Sequence, residues 1–337
     1  MNKVQRNKLF FVILVNFLVL ISLVLLLEGG ARILIYFLRG DSTAGIPERT
    51  LYLKYHPFVM FGPNWDDLLS KNKSQNDILG KYRVLLLGGS TAAGFPTDLI
   101  IQALKKEFPT QEFDVINASW GAYNSRQELI VASLWGINLN PNLIITLDGA
   151  NDLTNRLRED KAGTFFLDPA YRLSLTQPFL APLAELGRQS QLINGIGRML
   201  ARYKIKQVSE YMDAIPVFID AQHNINVLAK GIRANRIMVL QPFKAFKDPL
   251  SEQEKGFTHY KYRENVVISL FNELNRKLVE LSEKDDVIYL DSTNIYDGID
   301  ETIFTDDVHF FGNNGYKILA EEIVKAIPRS FIDSKHK

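Results

Sequence analysis

The chain has 337 residues, 46% of them hydrophobic and 23% charged, with a formal net charge of +1. This is globular composition with enough apolar material for a sizeable core, and its near-neutral balance gives no electrostatic footprint for a nucleic-acid partner. The absence of cysteine excludes disulfides, thiol catalysis and cysteine-ligated metals.

The N-terminus departs from this composition. Leu9 to Leu27 reads LFFVILVNFLVLISLVLLL, 19 residues without a charge. As a helix they rise about 28 Å, close to the hydrocarbon thickness of a bilayer. A cleaved signal peptide is the rival reading, but its apolar core is shorter and ends at a small-residue cleavage site. Here the run passes through Glu28, Gly29, Gly30 and Ala31 into a second apolar stretch. Lys3, Arg6 and Lys8 precede the span, and that basic bias places the N-terminus in the cytoplasm. Residues 1–40 are therefore expected to form a single-pass anchor in the cell membrane, in contact with lipid, with the rest of the chain extracytoplasmic.

Residues 41–80 read as a connecting arm. Its ends are polar and turn-rich, and its middle, LYLKYHPFVMFGPNW, is aromatic. His56-Pro57 and Gly62-Pro63 break any helix there, so the aromatics are expected to pack on the domain surface.

From Lys81 the pattern becomes rhythmic. Arg83–Leu87 is a short apolar run of the kind found in strands buried on both faces. A helix is predicted over Asp98–Phe108, a strand over Phe113–Asn117, a helix over Ser125–Leu139 and a strand over Leu143–Leu147. After an interruption at about 155–213 the rhythm resumes. It gives a helix over Ile219–Ala234, a strand over Arg236–Gln241, a helix over Arg263–Lys284, a strand over Val287–Asp291 and a last helix over Gly315–Ala326. Strands alternating with helices call for a three-layer α/β/α domain with a parallel sheet over residues 81–330. The 155–213 segment is expected to be a mainly helical insertion lying over the strand ends.

Four segments carry candidate chemistry, and each follows a strand or lies in the last loop, where parallel sheets bind ligands. In Gly88-Gly89-Ser90-Thr91, the glycines permit a tight turn that exposes Ser90 at a helix start. A phosphate loop would need Lys-Ser/Thr where Phe95-Pro96 stands; a plain turn capped by Ser or Thr is the other alternative. In Asn117–Ser125, Gly121 would let a backbone N–H approach a ligand. In Asp148-Gly149-Ala150-Asn151-Asp152, Asn151 could direct its amide at a developing oxyanion, with Asp152 holding loop amides. In Asp306-Asp307-Val308-His309, a carboxylate three residues before an imidazole could orient it. Asp307 is the alternative orienting acid. His56, His223, His259 and His336 lack this combination and are read as surface histidines.

Together, in this order and spacing, the segments resemble the SGNH or GDSL-type hydrolases. The resemblance covers roughly residues 81–328 apart from the insertion. It departs from the family in having Gly88-Gly89-Ser90 in place of Gly-Asp-Ser, which touches no triad member. It implies a flavodoxin-like fold, Ser90 as nucleophile, and His309 and Asp306 as base and orienting acid. It also implies an oxyanion hole from Ser90, Gly121 and Asn151, with no cofactor or metal. The expected activity is removal of a short acyl group, such as acetyl, from a cell-surface carbohydrate or related ester through an acyl-enzyme. An O-acyltransferase of extracellular polysaccharide, a lipase or thioesterase, and a catalytically silent glycan-binding module are the alternatives.

Overall fold

The computed structural model describes residues 3–39, 55–66, 80–157, 190–193, 208–256 and 264–333. Most of the 155–213 segment, with its expected position over the strand ends, lies outside the described residues. The chain divides into two compact units, Met1–Thr50 with Leu167–Ile205, and Leu51–Phe166 with Lys206–Lys337.

The first unit is built on helix α1, Lys3–Arg39. Gly29 and Gly30 do not break it, because the apolar pattern and its helix formers continue on both sides. Its stretch Phe10–Phe37 contains an 18-residue window of mean hydropathy 3.1, with 0% of that window buried within the protein. Glu28 lies inside this stretch and is fully hydrogen-bonded. Its carboxylate takes Arg32 Nε at 2.8 Å, Ser190 Oγ at 2.6 Å, Gln191 N at 2.9 Å and Leu192 N at 3.1 Å. Such compensation is what a carboxylate on an apolar helix requires.

The second unit holds a small antiparallel hairpin, β1 (Tyr55–His56) and β2 (Met60–Phe61), and a five-stranded parallel sheet. The sheet strands are β3 (Tyr82–Gly88), β4 (Phe113–Asn117), β5 (Leu143–Asp148), β6 (Asn235–Leu240) and β7 (Ile288–Asp291). Their order, β4-β3-β5-β6-β7, is the flavodoxin-like arrangement. Helices α2 (Ser90–Ala93), α3 (Thr97–Glu107), α4 (Ser125–Leu134) and α5 (Ala150–Arg156) follow the first three sheet strands. Then come α6 (Ala214–Gly231), α7 (Glu252–Gly256), α8 (Glu264–Asp285), α9 (Asn314–Lys325) and α10 (Arg329–Asp333).

The continuous apolar strands are explained by two-sided burial. Val84 and Leu86 face a core shared with α3 and α9, while Leu85 and Leu87 face one shared with α4. A third cluster joins Met238 and Leu240 to α5, α6 and α8. The fold class expected from the sequence is the one observed.

Some boundaries moved. Helix α6 starts at Ala214 and accommodates Pro216 in its first turn, where the missing N–H has no intrahelical acceptor to lose. Helix α4 ends at Leu134, and a tighter turn over Gly136–Leu139 follows. A Cβ at Gly136 would lie 2.9 Å from Leu85 Cδ2, so glycine is what lets this turn pack on the sheet.

The arm differs in kind from its expectation. Val59, Phe61 and Trp65 are buried in the core beside Tyr123 and Trp135. Tyr123 Oη donates to Phe61 O at 2.7 Å, Gln127 Nε2 to Val59 O at 2.8 Å and Trp135 Nε1 to Asp66 Oδ1 at 2.9 Å. These residues are part of the core, not a surface covering.

Candidate active site

The parallel register brings the ends of three strands to one edge. Leu86 pairs with Asn117 and Gly88 with Leu147, so the loops after β3, β4 and β5 emerge side by side. Ser90 opens α2 directly after Gly89. The side chain of Asn117, at the end of β4, holds that short helix in place. Its Nδ2 donates to Ala92 O at 2.7 Å, and its Oδ1 accepts from Ser119 N at 3.0 Å.

The second loop runs along this helix start, with Trp120 N donating to Gly88 O at 3.2 Å. Its left-handed residue is Ala122, at φ 62°, not Gly121. Ala122 thus stores strain beside the site. Among the described residues, neither the Gly121 nor the Ala122 N–H has a protein acceptor.

Asn151 lies on α5, whose start Gly149 takes φ 117°. Asn151 Nδ2 donates to Tyr123 O at 2.7 Å. An amide nitrogen carries two hydrogens, so a second donor remains. A Cβ at Gly89 would fall 2.2 Å from that nitrogen, so the bare glycine makes room for the amide. Asp152 ties the two loops together, accepting from Ser125 N at 3.0 Å and Ser125 Oγ at 2.6 Å. Burial raises its pKa to about 6 against the lowering effect of the Ser125 bonds. Glu128 and Asp148, also buried, are raised well above ordinary carboxylate values, by burial first and then by carboxylate neighbours.

The last loop carries the imidazole. His309 Nδ1 lies 2.6 Å from Asp306 Oδ2, and Asp306 Oδ1 accepts from Val308 N and His309 N at 2.8 Å each. Burial alone would raise the Asp306 pKa. The bond to His309, its charge and the two N–H groups outweigh burial and bring it to about 2. Asp307 turns away, with its Oδ1 3.4 Å from Lys244 Nζ in a buried pair. Asp306, not Asp307, is thus the carboxylate bonded to the imidazole, and Asp307 is buried.

The first and last loops meet through neighbours of Ser90 and His309. Thr91 Oγ1 donates to Val308 O at 3.1 Å and accepts from Gln241 Nε2 at 3.2 Å. Ser90 Oγ has no hydrogen-bond partner among the described residues. Thr91 and Asn117 lie in segments the sequence singles out for other residues, whereas Gln241 and Lys244, which bond Thr91 Oγ1 and Asp307 O, have no motif around them.

Two of the remaining histidines are also not plain surface residues. His223 lies on α6, paired with buried Asp285 at 2.7 Å. It lines a cavity of about 630 Å³ with Met212, Ile215, Ile219 and Leu281, none of which belongs to the strand-end loops. His56 Nδ1 accepts from Phe58 N at 3.3 Å, and its ring packs on Trp135 at 5.3 Å. His259 and His336 lie outside the described residues. Among the described residues, no group of three or more acidic or histidine side chains is placed to hold a metal ion.

No family model matches the chain, and no curated protein matches it. Solved structures do. An acetyl xylan esterase shares 11% identity over 73% of this chain and 100% of its own, with a TM-score of 0.46. A GDSL-like lipase from Bacteroides thetaiotaomicron shares 15% over 79% of this chain and 98% of its own, with a TM-score of 0.44. A variant of an acetyl xylan esterase from Geobacillus stearothermophilus shares 12% over 73% and 95%, with a TM-score of 0.46.

Proposed function

We propose that the second unit is an SGNH-type serine esterase. The observation that carries this reading is the Asp306–His309 hydrogen bond of 2.6 Å, in a loop bonded through Val308 O to the residue after Ser90. A serine hydroxyl needs a base to become a nucleophile. His309, held by Asp306 through Nδ1, would take the Ser90 proton with its other ring nitrogen as Oγ attacks an ester carbonyl. Asp306 would stabilise the resulting imidazolium.

Negative charge then develops on the carbonyl oxygen. The Ser90 N–H, the Gly121 N–H and the second Asn151 N–H are the donors assigned to it. Each such donor contributes on the order of 3 kcal/mol to transition-state stabilisation. The tetrahedral intermediate collapses as the alcohol leaves with the proton from His309, giving the acyl-enzyme. Water, activated by the same imidazole, releases the acid. These residues suffice for the cycle.

The substrate we infer is a short acyl ester, acetyl foremost, on a carbohydrate at the cell surface. Support comes from α1, an apolar helix with basic residues before it, which we read as an anchor with its N-terminus inside that would leave the esterase at the extracytoplasmic surface. Labelling with a fluorophosphonate tests the chemistry. Ser90 should be modified in the parent and not in Ser90→Ala, and acetate should be released from acetylated glycan. An unlabelled parent would leave a binding module as the better reading.

A further inference from the structure

The Asn151 amide belongs to a closed ring of bonds, and the ring is completed by a buried carboxyl that the chemical steps leave unused. Asn151 Nδ2 donates to Tyr123 O at 2.7 Å. The next residue, Asn124, caps α4, and its carbonyl accepts from Glu128 N at 3.1 Å. The Glu128 side chain crosses to Asp148 at the end of β5, and the two carboxyls are hydrogen-bonded to each other. Asp148 also accepts from the Gly149 N–H. Gly149, at φ 117°, then turns the chain into α5 and back to Asn151.

Glu128 and Asp148 are 0% and 1% exposed. Among the described residues, neither Glu128 oxygen nor Asp148 Oδ1 has a neutral or cationic donor, and Asp148 Oδ2 has only Gln222 Nε2 at 3.5 Å. Two ionised carboxylates at this depth would repel and could form no bond. One proton between them supplies the missing donor. Burial first, then neighbouring carboxylates, raises both groups well above ordinary values. Their mutual bond acts upward on Glu128 and downward on Asp148, so the proton sits on Glu128. We propose that Glu128 is a positioning residue for Asn151: as a protonated carboxyl it donates to Asp148 and closes the ring that fixes the start of α5 against the start of α4. The proposal rests on the reading of Asn151 as an oxyanion donor of an esterase. The ionisable groups facing the pair are Asp152 on α5 and Arg236 on β6, with Arg126 on α4 acting on Asp152 and Asp285 on Arg236.

The experiment measures turnover and KM for an aryl acetate against pH in the parent, Glu128→Gln, Glu128→Leu, Asn151→Ala and the Glu128→Leu, Asn151→Ala double variant. Fluorophosphonate labelling, melting temperature and infrared spectra accompany it. Glutamine donates the same bond without a titratable proton, so Glu128→Gln should stay within about threefold of the parent at neutral pH. The parent should lose turnover on the alkaline side as the Glu128 proton leaves, and Glu128→Gln should hold its turnover there. The infrared difference between the two at neutral pH should contain the carbonyl stretch of a protonated carboxyl. Glu128→Leu has no donor, so its turnover should fall by about ten- to a hundredfold with KM held, because an oxyanion donor acts in the transition state. In the Asn151→Ala background the same change should cost no more than about threefold. An alkaline decline identical in the parent and Glu128→Gln, or a difference spectrum without that band, would overturn the proposal. So would a folded Glu128→Leu with parental turnover, or losses that multiply with Asn151→Ala. Where Glu128→Leu does not fold, the glutamine profile and the spectrum carry the test. A parent that takes no fluorophosphonate label sinks the esterase reading, and this role with it, even where the band is present.

Discussion

Thr91 Oγ1 donates to Val308 O at 3.1 Å, joining residues 217 apart in the chain. The residue after the proposed nucleophile is thus bonded to the residue before the proposed base. Thr91→Val keeps the shape but leaves Val308 O and the Gln241 amide short of a partner. Stability should fall by about 1 kcal/mol. Turnover of an aryl acetate should fall by about tenfold. Thr91→Ser should behave as the parent. Unaltered turnover in Thr91→Val would show that the two loops are registered by other contacts.

Ser90 and His309 act as one unit in the proposed mechanism, so losing either should cost as much as losing both, on the order of a million-fold in turnover. Asp306→Ala should cost less, because the base survives in poorer orientation. Asp307→Ala should injure stability, by about 3 to 5 kcal/mol, because it leaves Lys244 buried opposite an empty place. Denaturant titration beside turnover separates these two acids. An Asp307→Ala variant as stable as the parent would show the Lys244 pair to be solvated.

Much of this site was legible because the signals are local. Apolar runs such as Arg83–Leu87 are continuous because both faces of the strand are buried, and the residues just past each run fall at one sheet edge. The Asp306–His309 bond joins residues three apart. What was not legible is long-range. Nothing near Lys244 points to Asp307, and nothing near His223 points to Asp285. The arm was misjudged because His56-Pro57 and Gly62-Pro63 erase the periodicity by which burial is read, while Val59, Phe61 and Trp65 are core residues all the same. At the second loop, Gly121 drew attention for the approach of its N–H, and nothing in the sequence marks its neighbour Ala122 as the left-handed residue.

Two carboxylates give opposite pH dependences. Asp306 is depressed to about 2 from 3.8, so its contribution, about 2 kcal/mol, is complete above pH 4 and is lost as pH falls towards 2. Glu128 is raised well above 4.5, so the folded state holds its proton longer than the unfolded chain does. Its contribution is present below the unfolded value and is lost as pH rises past it. Difference curves isolate each group. Asp306→Asn should lose stability relative to the parent chiefly above pH 4, and Glu128→Gln should gain relative to it as pH climbs from 5 to 8. A Glu128→Gln difference that is flat with pH would mean that this carboxylate is not held protonated.

Ala122 holds φ 62°, a conformation that costs an L-residue with a Cβ about 1 kcal/mol. Ala122→Gly relieves that strain but enlarges the unfolded ensemble. Its stability should therefore stay within about 1 kcal/mol of the parent, with turnover retained. Ala122→Val, branched at Cβ, should lose about 2 kcal/mol or more and lower turnover by moving the loop that carries the Gly121 N–H. Thermal melts of the two variants check this. Equal stability of the valine and glycine variants would mean that the loop relaxes freely.

Gly89 faces Asn151 at a distance that admits no side chain: a Cβ there would lie 2.2 Å from Asn151 Nδ2 and 3.1 Å from Tyr123 O. Gly89→Ala must therefore push the amide out of its bond to Tyr123 O and away from the oxyanion position proposed for it. Turnover should fall on the order of a hundred- to a thousand-fold, the value of one such donor and the loss expected for Asn151→Ala. The two substitutions should not add. In the Asn151→Ala background the obstructing amide is gone, so Gly89→Ala should change turnover little further, and the double variant should melt no lower than Gly89→Ala alone. Fluorophosphonate labelling of Ser90 should persist, slowed, in all three, since nucleophile and base are untouched. Full turnover in Gly89→Ala, or losses that multiply in the double variant, would place the third oxyanion donor somewhere other than Asn151.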